Sequence, residues 1–334
     1  MAGNPKRVSR GLALALFVAA MAWVGGANSI AGRAAHGLGV RFQLGAGEAL
    51  LSGVFLLFLM VVGFSAFDLV AAKGSQAADV LPLPRRHGWW TEWSVGAAIG
   101  WGLCLLAVFP LLVTRNLHSR LDLRGTAWGS VAVAAASLLV ASLLEEAVFR
   151  GYPFQRLKQA IGTTLATIFL SISFGIVLVY ANPPQHVGLA VFNGTLFGLL
   201  LSMAYLRTHA LWLGWGLHFG YRVIAAMVLG LPIAGRGDLG SVAETWTSGP
   251  RWLSGGAFGL DAALLTGPVL LLGMIVLYRV TKGYAWEYTH ATILPGGYQV
   301  AVAPPAAHAT MEQSAAPPPL VQIAPSTSTD RSIS

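Results

Sequence analysis

The stretch ALLSGVFLLFLMVVGFSAFDLVAA, residues 49–72, contains a single charged side chain, Asp68. A transmembrane helix needs about 20 predominantly apolar residues, so this run is long enough to cross a bilayer. Comparable runs recur along the chain, and they predict eight membrane-spanning helices. These cover residues 11–30, 49–72, 94–113, 126–148, 161–181, 187–206, 210–231 and 260–280.

The composition of the whole chain supports the same fold class. Of its 334 residues, 55% are hydrophobic and only 10% are charged, whereas soluble domains carry about 25% charged residues. A water-soluble surface cannot be built from so few charges, so most of the surface should face membrane lipid. We therefore predict an all-α fold, a polytopic membrane bundle of about eight transmembrane helices.

The net charge of +8 does not indicate a nucleic-acid partner. The basic residues lie mostly between apolar runs, where they act as topological anchors, and no basic patch is interleaved with aromatic residues. The single cysteine, Cys104, lies within an apolar run. It excludes a disulfide within the chain and a thiolate metal site, which usually needs two or more cysteines.

The distribution of lysine and arginine predicts the orientation. If the N-terminus is cytoplasmic, twelve of these residues lie on the cytoplasmic side and seven on the other. The twelve are Lys6, Arg7, Arg10, Lys73, Arg85, Arg86, Arg150, Arg156, Lys158, Arg207, Arg279 and Lys282, and the seven are Arg33, Arg41, Arg115, Arg120, Arg124, Arg236 and Arg251. We expect an integral protein of a bacterial-type plasma membrane with both termini cytoplasmic. The first apolar run could be a signal peptide, but it exceeds the usual 7–15 residues, so we expect a retained helix.

Three regions follow from this organisation. Residues 1–125 contain the first three predicted helices and their loops, and residues 126–281 form a helical core that carries the candidate chemistry. Residues 282–334 are a tail that is rich in Pro, Ala, Ser and Thr towards its end. Such a composition buries too little apolar surface to offset the entropy of ordering, so we predict disorder there.

Two adjacent glutamates, Glu145 and Glu146, stand out at the end of the fourth predicted helix. The other acidic residues are assigned to loops, including Glu92, to the tail, or to helix ends near the interface, including Asp68. A carboxylate in apolar surroundings costs at least about 2.5 kcal/mol, so a cationic partner is expected. Arg150 follows Glu146 by four residues, on the same helical face. We therefore expect Glu146 to be tied to Arg150 and Glu145 to be free to act as a base; the alternative is a solvated helix end.

His218 is the histidine that lies well inside a long apolar run, and Arg222 falls four residues later on the same face. A lone histidine in an apolar helix is more often a structural residue whose nitrogens are both hydrogen-bonded. A glutamate pair in the same bundle favours the alternative, which is a role in catalysis.

These residues resemble the motifs of a known family. The stretch from Glu145 to Arg150 is similar to the first motif, EExxxR, of the CAAX prenyl protease type II family, also called CPBP or Abi. Later elements resemble that family in order and spacing, over roughly residues 126–229. They are Asn193, Tyr205-Leu206-Arg207-Thr208, Leu211-Trp212 and Gly216-Leu217-His218.

The resemblance implies an eight-span intramembrane endopeptidase acting on a membrane peptide or protein, which is prenylated in some members. By the same resemblance, Glu145 is the general base, Glu146 and Arg150 support it, and His218 completes the site. A metal role has been argued for the family, but the residues of this chain support no metal or other cofactor.

Two positions depart from the family pattern. The second motif, FxxxH, has Leu178 in place of its histidine, or Val179 if the alignment slips by one residue. The third motif, HxxxN or HxxxD, ends in Arg222. Arg222 could supply a cationic donor instead, and His186, in the turn before the sixth predicted helix, could act as an auxiliary group.

Three function classes remain open on the sequence. The first is a glutamate-dependent intramembrane peptidase. The second is a catalytically impaired member of the same fold, which binds a membrane partner as a chaperone, scaffold or immunity protein. The third, a transporter, would require polar residues distributed over several spans, and this chain has almost none outside the helices of the glutamates and His218.

Overall fold

A computed structural model of the chain describes residues 8–71, 78–121, 123, 127–237 and 240–287. The described residues form ten α-helices and two short strands. The helices are α1 (Arg10–Phe42), α2 (Gly47–Ala71), α3 (Trp89–Val113), α4 (Trp128–Arg150), α5 (Tyr152–Ile161), α6 (Thr163–Tyr180), α7 (Val187–Thr208), α8 (Trp212–Val223), α9 (Arg251–Ser254) and α10 (Thr266–Glu287). The strands, β1 (Leu117–Leu121) and β2 (Ala243–Thr247), pair in antiparallel register.

The prediction of an all-α polytopic membrane bundle is confirmed. Six helical segments among the described residues are long and apolar enough to cross a membrane. They are α1, α2, α3, the segment Trp128–Ile161 that joins α4 and α5, α6 and α7. Helices α8 and α10 lie at the positions of the other two predicted spans, but they do not meet the same criteria.

The last two predicted spans have different boundaries from those expected. Helix α8 ends at Val223 and is followed by a π-helical segment, Ile224–Val228. Residues 260–262 form a 3₁₀ turn, so α10 begins only at Thr266. The predicted tail, 282–334, lies outside the described residues except for 282–287, which complete α10.

Contacts between loops define two ends of the bundle. At one end, called the strand end, β1 pairs with β2, and Arg251 donates to the Gln185 side chain in the turn before α7. At the other, called the loop end, the segment 78–88 contacts α5 and the start of α8: the Leu211 amide donates to the Pro82 carbonyl at 2.9 Å. The predicted orientation would place the loop end in the cytoplasm.

Two acidic residues are placed differently from the prediction. Glu92, expected in a loop, lies in the first turn of α3 with 1% of its surface exposed, and Arg86 donates to both of its carboxylate oxygens at 2.9 and 2.7 Å. Asp68, expected to reach the interface, pairs with the buried Arg156 of α5. Both carboxylates are retained inside the protein because an arginine from a neighbouring segment reaches them, which local sequence does not reveal.

Helices α3 and α8 are in direct backbone contact. A Cβ atom at Gly216 would overlap the carbonyl oxygen of Trp93, and one at Gly100 would overlap the carbonyl oxygen of Leu217. Small residues permit this approach between membrane helices. The contact holds α8, which carries two of the candidate site residues, at a defined position in the bundle.

Replacing Gly216 by alanine should therefore destabilise the protein by about 1–3 kcal/mol, the usual cost of overpacking. The obstacle is backbone, so the two helices must separate. Thermal unfolding in detergent, followed by size-exclusion chromatography, would show a lowered midpoint. Gly102→Ala is the matched control, since a Cβ there meets nothing within 4 Å; equal midpoints for the two variants would contradict the prediction.

Candidate active site

The two glutamates lie in the last turns of α4, where the chain bends sharply. Helix α4 ends at Arg150 and is capped by Gly151, at which a Cβ atom would overlap the carbonyl oxygen of Ala147. Pro153 follows in the first turn of α5. Proline is tolerated there because a backbone N–H in the first turn would have no acceptor within the helix. The local sequence therefore sets the end of the helix that carries the glutamates.

Glu146 and Arg150 form a fully buried pair. The Arg150 Nη1 donates to Glu146 Oε1 at 3.3 Å, and both side chains have no exposed surface. The other nitrogens of Arg150 bind α7: Nη2 donates to the Gly198 carbonyl at 2.8 Å and Nε to Ser202 Oγ at 3.3 Å. Arg150 thus connects α4 to α7 and binds one oxygen of a carboxylate that has no exposed surface, while Glu146 Oε2 has no hydrogen-bond partner among the described residues.

Replacing Arg150 by methionine should severely destabilise the fold. Removing one partner of a buried ion pair costs about 3–5 kcal/mol, because the other charge remains buried without compensation. Thermal unfolding in detergent should show a large drop in midpoint or loss of the monodisperse protein. Adding Glu146→Gln to this variant removes the orphaned charge and should recover part of the loss. A single variant as stable as the unmodified protein would refute this role of the pair.

His218 lies between the two glutamates with no exposed surface. Its Nδ1 is 2.9 Å from Glu146 Oε1, and its Nε2 is 3.5 Å from Glu145 Oε2. The rings of Phe174 and Phe197 contact the imidazole edge-on, with centroids at 5.9 and 5.2 Å. The structure gives Nε2 no hydrogen-bond partner among the described residues, so the imidazole is oriented by Glu146 and has one nitrogen left over.

Glu145 is paired, whereas the sequence predicted a free carboxylate. Arg222 Nη1 donates to Glu145 Oε1 at 2.6 Å and Arg222 Nη2 to Oε2 at 2.9 Å, which is a bidentate pair. The prediction failed because Arg222 is 77 residues away in the chain and reaches Glu145 only when α8 packs beside α4. The Glu145 side chain remains 33% exposed, against 0% for Glu146.

The charges of this cluster balance. Two carboxylates face two guanidinium groups, so the cluster is electrically neutral when His218 is uncharged. Opposite charges in an apolar interior are tolerated when they are paired and hydrogen-bonded. The charges of the cluster are therefore compensated, although Glu146 Oε2 and His218 Nε2 have no hydrogen-bond partner among the described residues, and Glu145 is its most accessible acidic group.

Glu145 opens onto a cavity of about 470 Å³ that extends to the strand end. Glu145, Arg222 and Arg236 contribute charged groups to its wall, while most of the remaining wall is apolar and includes Phe149, Phe174 and Leu178. Leu178, at the second-motif position, lines the cavity. Val179 is instead buried in a cluster with Ala190, Phe258 and Ala262, so the alignment without a slip places the motif position on the wall of the cavity that Glu145 also lines.

The structure brings together five of the predicted site residues, Glu145, Glu146, Arg150, His218 and Arg222. His186 lies elsewhere: it begins α7 and lines a separate cavity of about 480 Å³ together with Arg251. The described parts of the chain contain no group of three or more His, Cys, Asp or Glu side chains placed to hold a metal ion.

Sequence reasoning missed the part that α7 plays in the cluster. Gly198 and Ser202, four residues apart on α7, accept hydrogen bonds from Arg150. A small residue in a membrane helix indicates close packing between helices, and nothing in the sequence marks Gly198 as a hydrogen-bond acceptor. A signal was available, because the buried Arg150 guanidinium needs more hydrogen-bond acceptors than Glu146 can supply, and a neighbouring helix has to provide them.

An integral membrane protein with a buried cluster of glutamate, arginine and histidine is the class that the fold and the site define. Residues 127–224 match the family model described as type II CAAX prenyl endopeptidase Rce1-like. The match covers α4 to α8 with all five clustered residues, and it supports membership of the chain in the CAAX protease family. The comparisons with curated proteins and with solved structures found no match.

Proposed function

We propose that the protein is an intramembrane peptidase that hydrolyses peptide bonds with a water molecule activated by Glu145. One observation carries the proposal: Glu145 is the carboxylate of the cluster that is both partly exposed and part of the cavity wall. The family match to residues 127–224 supports the same reaction class. An accessible carboxylate within reach of a bound water can act as a general base.

The proposed reaction uses each member of the cluster in turn. Glu145 takes a proton from water as the water oxygen attacks the carbonyl carbon of the peptide, and that proton is then delivered to the leaving amine. One N–H of Arg222 leaves Glu145 and donates to the developing oxyanion, as donors at such positions do in acyl transfer. Glu146, which is paired with Arg150, orients His218 through Nδ1. The Nε2 of His218 accepts the proton that Glu145 took from water and protonates the tetrahedral intermediate at the leaving nitrogen, so no further proton is needed.

The apolar wall of the cavity indicates the class of substrate that it could hold. Phe149, Phe174 and Leu178 form an apolar surface beside Glu145, which suits apolar side chains or a prenyl group rather than a charged peptide segment. We therefore propose a membrane-embedded or lipidated peptide as the substrate. With both termini in the cytoplasm of a bacterial-type cell, the cavity would extend towards the non-cytoplasmic side.

Cleavage in ¹⁸O-labelled water tests this function. The purified, detergent-solubilised protein is mixed with a pool of membrane peptides and prenylated peptides, and the products are analysed by mass spectrometry. Hydrolysis should yield pairs of fragments in which the new carboxyl group has gained one labelled oxygen. A folded protein that yields no fragment pair from any peptide would overturn the proposal.

A second candidate function is a non-catalytic member of the family that binds a membrane partner in the same cavity. Two observations favour it. Both oxygens of Glu145 are occupied by Arg222, and Leu178 fills the position where the family has a second histidine. Such a protein would serve as a chaperone, scaffold or immunity factor.

A further inference from the structure

A groove at the loop end is distinct from the candidate active site. It has a volume of about 560 Å³ and is lined by Leu83, Arg85, Arg86, Trp89 and Trp212. Its two indole rings lie at the starts of α3 and α8 with their centroids 4.6 Å apart. Trp212 Nε1 donates to the Pro84 carbonyl at 3.0 Å, which joins the segment before α3 to α8 and gives the groove a fixed wall.

The groove carries an excess of positive charge. Arg86 is held by Glu92 and by the Thr208 carbonyl, but no carboxylate among the described residues pairs with the exposed Arg85. Burial lowers the pKa of the neighbouring His209, and the nearby cations Lys158 and Arg86 lower it further. An anion is the ligand that this arrangement favours.

The position of the groove indicates which anion it meets. Trp89 and Trp90 begin α3, and tryptophans at the end of a membrane helix lie at the level of the lipid headgroups. From Trp90, an exposed apolar stripe continues along α3 through Trp101, Leu105 and Phe109, which are 48, 49 and 65% exposed. A phosphate at Arg85 and an acyl chain on the stripe would therefore belong to one molecule.

We propose that the groove binds one anionic phospholipid, with its phosphate on Arg85 beside the paired rings of Trp89 and Trp212, and with an acyl chain along the exposed stripe of α3. Basic pockets at the cytoplasmic side of helix bundles bind anionic headgroups in this way. The predicted orientation places the loop end on that side. The site is independent of Glu145 and of any peptidase activity.

Native mass spectrometry of the detergent-solubilised protein tests the proposal, with phosphatidylglycerol and phosphatidylcholine of equal chain length as probes. The unmodified protein should retain one phosphatidylglycerol in preference to phosphatidylcholine. Arg85→Ala should weaken that retention about fivefold, which corresponds to about 1 kcal/mol for one arginine at an anionic membrane surface. Arg85→Lys should keep most of it. Arg33→Ala, which removes another exposed arginine from α1, should have no effect.

Two results would overturn the proposal. Equal retention of both lipids, or unchanged retention in Arg85→Ala, would show that the groove does not select an anionic headgroup. Displacement of phosphatidylglycerol by millimolar inorganic phosphate would identify a site for a free anion instead of a lipid. Retention that persists in inorganic phosphate and falls in Arg85→Ala is the result we expect.

Discussion

Replacing Glu145 by glutamine should reduce peptide cleavage by about 10²–10⁴, the contribution of a general base. Glutamine keeps the shape of the side chain and can still accept a hydrogen bond from Arg222, but it cannot take a proton from water. Some stability should be lost, because the buried Arg222 keeps its charge without a paired carboxylate. The fold should survive, because Glu145 is the partly exposed member of the cluster and Glu146 keeps its own partner in Arg150. The measurement is the initial rate of fragment formation, with thermal unfolding of each variant alongside.

Glu244→Gln is the matched control for this experiment. It makes the same chemical change at an exposed carboxylate of β2, at the strand end but not in the cavity wall. Its rate should equal that of the unmodified protein. If Glu145→Gln retained full activity, Glu145 could not be the base, and the proposed mechanism would be wrong even though the protein cleaves peptides.

A second large effect on the rate of peptide cleavage is expected when the two residues that differ from the family motifs, Leu178 and Arg222, are replaced by the residues of those motifs. If the non-catalytic candidate is correct, a chain that carries both Leu178→His and Arg222→Asn should cleave peptides about 10²-fold faster than the unmodified protein, the lower range expected for an added acid–base group. The mechanism that uses Arg222 as the oxyanion donor predicts no such gain, because the double variant lacks that donor. Leu178 and Arg222 line the cavity that Glu145 enters. The first change adds an imidazole beside Glu145, and the second releases both of its carboxylate oxygens.

Ile176→His combined with Arg222→Asn is the control, since Ile176 lies on the same helix, is 51% exposed and is outside the cavity wall. It releases Glu145 without adding an imidazole to the site. A gain confined to the Leu178 combination would support the idea that the site is impaired because it lacks the second-motif histidine. An unmodified protein that is already fast, with no gain in the double variant, would instead contradict the non-catalytic candidate.

The membrane fold and the pairing within the first family motif could be predicted from the sequence because both depend on local information. A shortage of charge and runs of about 20 apolar residues are sufficient to predict helices in lipid. The pairing of Glu146 with Arg150 follows from four residues of helical spacing, since such residues lie one above the other on the same face. The count of eight spans was harder to predict. Six helical segments among the described residues are long and apolar enough to cross a membrane, the segment at 210–231 continues into a π-helix, and the segment at 260–280 begins with a 3₁₀ turn.

The partners of Glu145 and His218 depended on packing between distant helices. Arg222 and Glu145 are 77 residues apart, and His218 and Glu146 are 72 apart. They meet because the glycines of α3 and α8 let the two backbones touch, which sets the position of α8 beside α4. Arg86 and Glu92 are only six residues apart, but Arg86 also donates to the Thr208 carbonyl, 122 residues away, and this long-range contact belongs to the folded bundle and not to the local pattern. Helical periodicity identifies which residues share a face, but only the folded bundle decides which faces meet, and so which glutamate remains accessible to the cavity.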